Sequence, residues 1–264
     1  MNKPISIIIP TYLAPTHLSL CIESIVKGQA NPENEILVIV DGHYEANKEV
    51  LDRWEDNIKV INFEENVGLP RGTNVGVSSA TNELVLVIND DNLLGKNFDK
   101  ILTESYKDGM CISMNQIEPT PSMFKQFYIK DLGRDPLTFD LNNFYKEEQF
   151  ISNAYGREQG GMDNTGSTLP FFISKIDYLK IGGWDIEFDK TGVVADWEFF
   201  LRCQLNNLQM IRTYRTHTYH FGSITTGTGR HTVEVEGHEY SRFKWGSYIQ
   251  HDSYTNKKYL DSNY

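Results

Sequence analysis

Short β-branched runs alternate with helix-length segments along the N-terminal part of the chain, and few architectures accommodate that pattern. Ile5–Ile9, Ile36–Val40, Lys59–Phe63 and Leu84–Ile88 are bounded by Pro, Gly, Asn or Asp and read as buried strands. Between them, Leu18–Lys27, Ala46–Trp54 and Pro70–Ala80 are long enough for helices and carry helically spaced apolar residues, such as Ile22, Ile25 and Val26. A strand that is apolar on both faces needs cover on both. The alternation therefore predicts an α/β fold, a mostly parallel sheet flanked by helices. Met110–Met114 reads as a further strand.

The pattern then loosens. Residues 119–165 hold three prolines, several aromatics and scattered charges without sustained periodicity, which predicts short helices or a substrate-facing excursion. Order returns at Leu169–Ser174, and Val194–Gln204 reads as a helix. Residues 217–231, rich in His, Thr and Gly, read as a mobile loop, Glu234–Ile249 as a final helix, and the chain from His251 as a polar tail. The expected organisation is a single α/β domain over residues 1–250 with an elaborated second half, followed by the tail 251–264.

A chain of 264 residues buries a sizeable core without disulfide or metal staples. Its 25 basic and 36 acidic residues give a net charge of −11, a field that repels phosphodiester backbones and argues against general nucleic-acid binding. Cys21, Cys111 and Cys203 are odd in number and far apart, which fits neither a disulfide framework nor a cysteine zinc site. His217 and His220 lack partnering cysteines, so a structural zinc site is not expected. The longest apolar runs are five residues long, too short to span a bilayer, and Met1-Asn2-Lys3-Pro4 leads directly into a strand with no signal-peptide pattern. A soluble, cytoplasmic protein is expected, peripheral to a membrane if what it acts on is lipid-linked.

In an open parallel sheet, ligands gather beyond the carboxyl ends of the strands. Those ends are polar here: Pro10-Thr11-Tyr12, Asp41-Gly42, Asn66-Val67-Gly68-Leu69-Pro70-Arg71 and Asn89-Asp90-Asp91-Asn92. In extended chain Asn89 and Asp91 project to one side and can share a ligand. One or two carboxylates with substrate phosphate oxygens is a common way to hold Mg2+ or Mn2+. A hydrogen-bonded turn is the alternative for this cluster, and for Asp41-Gly42 as well. There, the functional reading is a carboxylate accepting hydrogen bonds from a nucleobase edge. Arg71 and Asn74 share a face at the start of a helix, placed either to meet an anionic ligand or as solvated surface.

These residues, in this order, resemble glycosyltransferase family 2 on the GT-A fold. The likeness runs from Ser6–Tyr12 through Ile36–Gly42, Asn66-x-Gly68-x-x-Arg71-x-x-Asn74 and Val87–Asn92. It continues in Gly182-Gly183-Trp184-Asp185-Ile186-Glu187-Phe188 and in Ala195-Asp196-Trp197-Glu198 followed by Leu201-Arg202, covering about residues 4–225. The resemblance implies a nucleotide-sugar-binding half, 1–118, and an acceptor-binding, catalytic half, 119–250. Thr11, Tyr12 and Asp41 would then surround the base and ribose of the donor. Pro10, Asn66, Gly68, Arg71, Asn74, Asn89 and Asp90 would complete its pocket. Asp91, in the last position of the family's Asp-x-Asp motif, is the implied metal ligand, and His220 in His220-Phe221-Gly222-Ser223 approaches the metal or diphosphate. Asp196 matches the catalytic base.

Trp184 and Trp197 read as core or as acceptor-stacking surface, and Asp163 and Asn164, with Tyr155, fall where relatives contact acceptors. Thr225–His231 reads as a surface loop or as a lid over the diphosphate with Arg230 or His231 as a charge clamp. Two departures stand out: Asn89 replaces the first aspartate, and Ala195 replaces the glutamate before the base, with Glu198 as the candidate substitute. The implied reaction is a metal-dependent (Mn2+ or Mg2+), inverting transfer of a sugar from a nucleoside-diphosphate donor, UDP by family frequency, to a hydroxyl of a glycan or other acceptor. Two alternatives stand beside it: a sugar nucleotidyltransferase, disfavoured by the lack of a glycine-rich basic loop after the first strand, and an idle nucleotide-sugar-binding module.

Overall fold

The computed structural model describes residues 3–122, 124–158, 160–188, 194–222, 230–252 and 254–261. The first half builds β1 (Ser6–Thr11), α1 (Pro15–Gly28), β2 (Glu35–Asp41), α2 (Tyr44–Arg53), β3 (Lys59–Phe63), α3 (Leu69–Ser79) and β4 (Leu84–Val87). Then come β5 (Asn92–Leu94), α4 (Phe98–Ser105), β6 (Met110–Glu118), β7 (Tyr128–Ile129), α5 (Leu141–Glu158) and β8 (Met162–Asp163). The chain continues through β9 (Phe171–Ser174), α6 (Lys175–Ile181), α7 (Ala195–Leu205), β10 (Gln209–His220), α8 (Arg230–Trp245), β11 (Ile249–His251) and β12 (Lys258–Leu260).

The main sheet runs β3-β2-β1-β4-β9-β6-β10-β5, with β7 beside β6 and β8 beside β10. β1, β2, β3 and β4 are mutually parallel, as are β6 and β10, while β9 enters antiparallel between β4 and β6. Alternation within β1 divides the core: Ile7 and Ile9 face α1 and α4, whereas Ile8 faces α3, α6 and α7. Gly76 is what lets α3 lie so close, since a Cβ there would sit 2.4 Å from Ile8 Cγ2. Because β2 and β3 extend to one side of β1 and β4 to the other, the winding reverses between β1 and β4, which opens a crevice at their carboxyl ends.

The second half departs from the sequence expectation in three places. Residues 141–158 form one long helix rather than short pieces. Its inward stripe is Leu141, Phe144, Tyr145, Glu148 and Ile151, so a buried glutamate interrupts the apolar pattern while Phe150 is exposed. The segment 217–231 is not one loop: β10 extends to His220 and α8 begins at Arg230, while residues 223–229, including Thr225–Gly229, lie outside the described residues. The chain beyond His251 is not a simple tail, because β12 folds back antiparallel on β11 with Gln250 opposite Tyr259. Polar sequence concealed this hairpin; its packing relies on side-chain amides rather than on an apolar stripe.

Candidate active site

At the β1–β4 crevice the two strand ends are tied together. Thr11 Oγ1 donates to Asp90 Oδ2 at 2.7 Å. Asp90 is buried, and burial followed by the neighbouring Asp91 charge pushes its pKa up to about 7, the Thr11 hydroxyl partly opposing. Asp91 turns to the opposite side and faces β10: its Oδ2 lies 3.4 Å from His220 Nε2, and Asn92 Nδ2 donates to its Oδ1 at 2.9 Å. His220 Nδ1 in turn lies 2.8 Å from Glu118 Oε1 at the end of β6. Burial alone would lower the His220 pKa, but Asp91 and Glu118 raise it to about 10. Burial alone would likewise raise Asp91, and the His220 charge holds it below the usual carboxylate range.

This corner fits a divalent cation. Two donors each about 2.1 Å from one ion and at right angles to it lie about 3 Å apart, close to the Asp91–His220 separation of 3.4 Å. Glu118 holds the far nitrogen of His220, which is how metal-binding histidines are commonly oriented. Among the described residues no three His, Cys, Asp or Glu side chains converge as a complete ligand set.

The neighbouring strand end is shaped by Asp41, whose two carboxylate oxygens accept from Val67 N at 2.6 Å and Gly68 N at 3.0 Å. Gly42 allows that closure: its φ is +77° and a Cβ would lie 3.0 Å from Asn66 N. The carboxylate thus serves the loop, which is the turn reading of Asp-Gly. Tyr12 is half-buried, its ring edge-on to His43 at 5.3 Å. Pro10 is buried within β1, Asn89 and Asn66 are half-buried, Gly68 caps α3, and Arg71 is exposed.

Asn74 does not point at a ligand. Its Nδ2 donates to Trp184 O at 2.7 Å and its Oδ1 accepts from Trp184 N and Tyr178 Oη. The side chain braces the Gly182-Gly183 turn. Trp184, 1% exposed, packs on Phe199 in the core and offers no stacking surface, which corrects its assignment to the acceptor. Asp163 is engaged by Thr165 and Tyr214, and Asn164 is exposed. Trp197 is half-buried against His251 and His238. Glu198 is fully buried and bound by Arg202 and Lys244, so it is not a substitute for the glutamate absent at 195. The side chains of Tyr155, Arg230 and His231 lie outside the described residues.

Asp196 opens α7. That helix of 11 residues is about 16 Å long, which five strand residues also rise. β10 follows α7, and its Thr213 pairs with Met114 of β6. Met114 N donates to Pro170 O, and the next residue, Phe171, pairs with Val87 at the end of β4. Asp196 is half-buried in the first turn of α7, where its Oδ1 accepts from Trp197 N at 2.8 Å.

Three neighbours of the site escaped sequence reading. Glu118 was hidden because the polar Asn115 and Gln116 masked the true end of β6. His43 sits beside Tyr12. His17, in the first turn of α1, is 8% exposed, its Nε2 has no hydrogen-bond partner, and Asp91 acts on its charge.

A reversed parallel sheet with an acidic strand-four end facing a histidine defines an α/β domain of the GT-A architecture. Its likeness to solved structures bears this out: GalNAc-T7, crystallised with UDP, GalNAc and Mn2+, superposes with a TM-score of 0.60 at 13% identity over 83% of this chain and 43% of that chain. Staphylococcus aureus TarS 1–349 in complex with UDP gives 0.58 at 18% identity over 82% and 60%. The glycosyl transferase family 2 model matches residues 6–160, and the chain belongs to that family. Among curated relatives, the glycosyltransferase GlyG of Streptococcus pneumoniae is 27% identical over 65% of this chain and 56% of its own length. The UDP-Gal:alpha-D-GlcNAc-diphosphoundecaprenol beta-1,3-galactosyltransferase of Escherichia coli is 31% identical over 39% and 40%. The chain thus spans about half the length of these two relatives. No helix among the described residues is long and apolar enough to cross a membrane.

Proposed function

We propose that the chain transfers a glycosyl group, with inversion, from a nucleoside-diphosphate sugar to an acceptor hydroxyl. The observation that carries this reading is the Asp91–His220–Glu118 cluster beside the Thr11–Asp90 contact, at the crevice where the sheet reverses. UDP is the nucleotide favoured by the UDP-bound neighbours TarS and GalNAc-T7. Thr11, Tyr12 and the Asp41 loop would take the nucleoside, and residues 119–250 the acceptor, a glycan or other hydroxyl-bearing molecule.

Asp91 and His220 would hold Mn2+ or Mg2+, with Glu118 orienting the imidazole. The ion, when bound, supplies neutralisation of the charge that builds on the departing diphosphate. Asp196 accepts the proton of the acceptor hydroxyl as its oxygen bonds to the anomeric carbon. The bond from that carbon to the diphosphate oxygen breaks, and its electron pair leaves with the nucleotide. A positioned base contributes about 10²–10⁴-fold, so alignment by the protein must supply much of the remainder.

The test is a panel of nucleotide-sugars with and without Mn2+, scored for slow hydrolysis and for thermal stabilisation. One donor class is expected to give both, and Asp91→Ala to lose the metal-dependent part of each. Equal stabilisation of Asp91→Ala and the parent by donor with Mn2+ would overturn the metal-corner reading.

A further inference from the structure

One face of α1 runs along the segment that carries Asp91. Ser24 Oγ accepts from Leu94 N at 3.1 Å, and one turn earlier Cys21 Sγ lies 3.9 Å from Asn89 O. His17, four residues before Cys21, is the next residue of that face toward the helix N-terminus. Because β1 and β2 are parallel, α1 runs back between them and its N-terminus lies at the carboxyl ends of the strands. There the His17 ring meets Phe221 edge-on, with ring centres 5.2 Å apart. Phe221 follows His220, and its amide donates to Asp91 O at 3.1 Å. The imidazole therefore stands beside the Asp91–His220 corner, placed by contacts on both sides of it.

An imidazole in that place is costly without a ligand. His17 is 8% exposed, and among the described residues its buried Nε2 has no hydrogen-bond partner. A phenylalanine or leucine would fill the space and leave no polar atom unmet. The helix end is bare as well. The first backbone bond of α1 runs from Leu18 N to Ala14 O, no side chain caps the end, and the first turn holds no acidic residue. Free amides and the positive end of the helix dipole favour an anion. Asp91 and Asp135 are the charges that act on the ring, so the fitting anion is one partly neutralised already, as a diphosphate is on a divalent ion. His17 is not placed as a ligand of that ion, since among the described residues it forms no complete ligand set with Asp91 and His220.

We propose that His17 is a donor-binding residue, its Nε2–H donating to a diphosphate oxygen of the nucleotide-sugar at the N-terminus of α1. The assignment rests on the reading of the crevice as a nucleotide-sugar site. Neutral imidazole with its proton on Nε2 and imidazolium both present this donor, so binding requires no change of charge. No protein hydrogen bond to Nε2 has to break when the ligand enters. The contact recognises the phosphates alone, separately from the residues that would take the nucleoside.

The experiment is isothermal titration calorimetry with Mn2+ on the parent, His17→Phe and His17→Gln. The ligands are UDP, GDP and dTDP, together with the nucleoside of whichever diphosphate binds, its affinity read by displacement. His17→Phe keeps an aromatic ring against Phe221 and removes the nitrogen. It is expected to weaken the nucleoside diphosphate by at least about tenfold and to leave the nucleoside unchanged. His17→Gln, which can still donate, is expected to recover most of the diphosphate affinity. If circular dichroism shows that His17→Phe does not fold, His17→Met takes its place with the same expectation. Unchanged diphosphate affinity in His17→Phe, equal losses for the two ligands, or a His17→Gln no better than His17→Phe would overturn the inference and leave the nucleotide-sugar reading in place. A parent that binds none of the three diphosphates ends that reading and the inference with it.

Discussion

Replacing Glu198 by alanine is expected to destabilise the fold strongly, because the residue is the hub of a buried ionic cluster. Glu198 is fully buried and accepts from Arg202 Nε at 2.8 Å, Arg202 Nη2 at 2.7 Å and Lys244 Nζ at 2.7 Å. Lys244 also binds Asp185 at 2.7 Å, so the cluster ties α8 to α7 and to the turn after α6. Removing one member of a buried pair costs about 3–5 kcal/mol. The lower end applies, because Arg202 keeps the Ile181 and Gly183 carbonyls and Lys244 keeps Asp185. For 264 residues an unfolding entropy of about 0.55 kcal/mol/K converts about 3 kcal/mol into a Tm loss near 5 °C. Urea denaturation followed by tryptophan fluorescence measures it, with an unchanged m-value expected. A double-mutant cycle with Lys244→Met should show coupling above about 1 kcal/mol. A Glu198→Ala cost below about 1 kcal/mol, or additive effects, would refute the reasoning.

Two further outcomes concern groups away from the chemistry. Burial lifts Glu148 to a pKa of about 7, against hydrogen bonds from Ser152 and the His217 amide. A carboxyl raised in the fold costs nothing below its unfolded pKa, and its penalty grows as pH climbs from about 4.5 to 7. Glu148→Gln should therefore gain stability relative to the parent by up to about 3 kcal/mol between pH 4.5 and pH 8, read by urea denaturation at both; a pH-independent difference would contradict it. Gly183→Ala would place a Cβ 2.4 Å from Asn74 Oδ1 at a φ of +65°, which should cost about 2 kcal/mol. Thermal unfolding indistinguishable from the parent would show that the Asn74 brace is not as rigid as described.

The first half of the fold was legible because β-branched runs and glycine or proline boundaries report directly on parallel strands, although Lys59–Phe63, read as buried, is an edge strand with Lys59, Val60 and Asn62 exposed. His220 closes β10, Asp196 opens α7 and Asp91 lies between β4 and β5, positions that element boundaries in the sequence mark. Reading failed where polar residues do the packing. Glu148 broke the stripe of α5, Asn115 and Gln116 hid the reach of β6 to Glu118, and the polar hairpin around Lys258 looked like a tail. Asn74 and Trp184 illustrate the converse: a polar group and an aromatic at suggestive positions are bound to one another as a structural brace, a relation between residues 110 apart that no local pattern reveals.

The central claim is that Asp196 takes the acceptor proton while other residues hold the donor. The most direct measurement is transfer and UDP affinity on the same preparation of Asp196→Asn. The account predicts turnover lower by about 10²–10⁴-fold with the dissociation constant for UDP unchanged within error. Turnover equal to the parent's would contradict it.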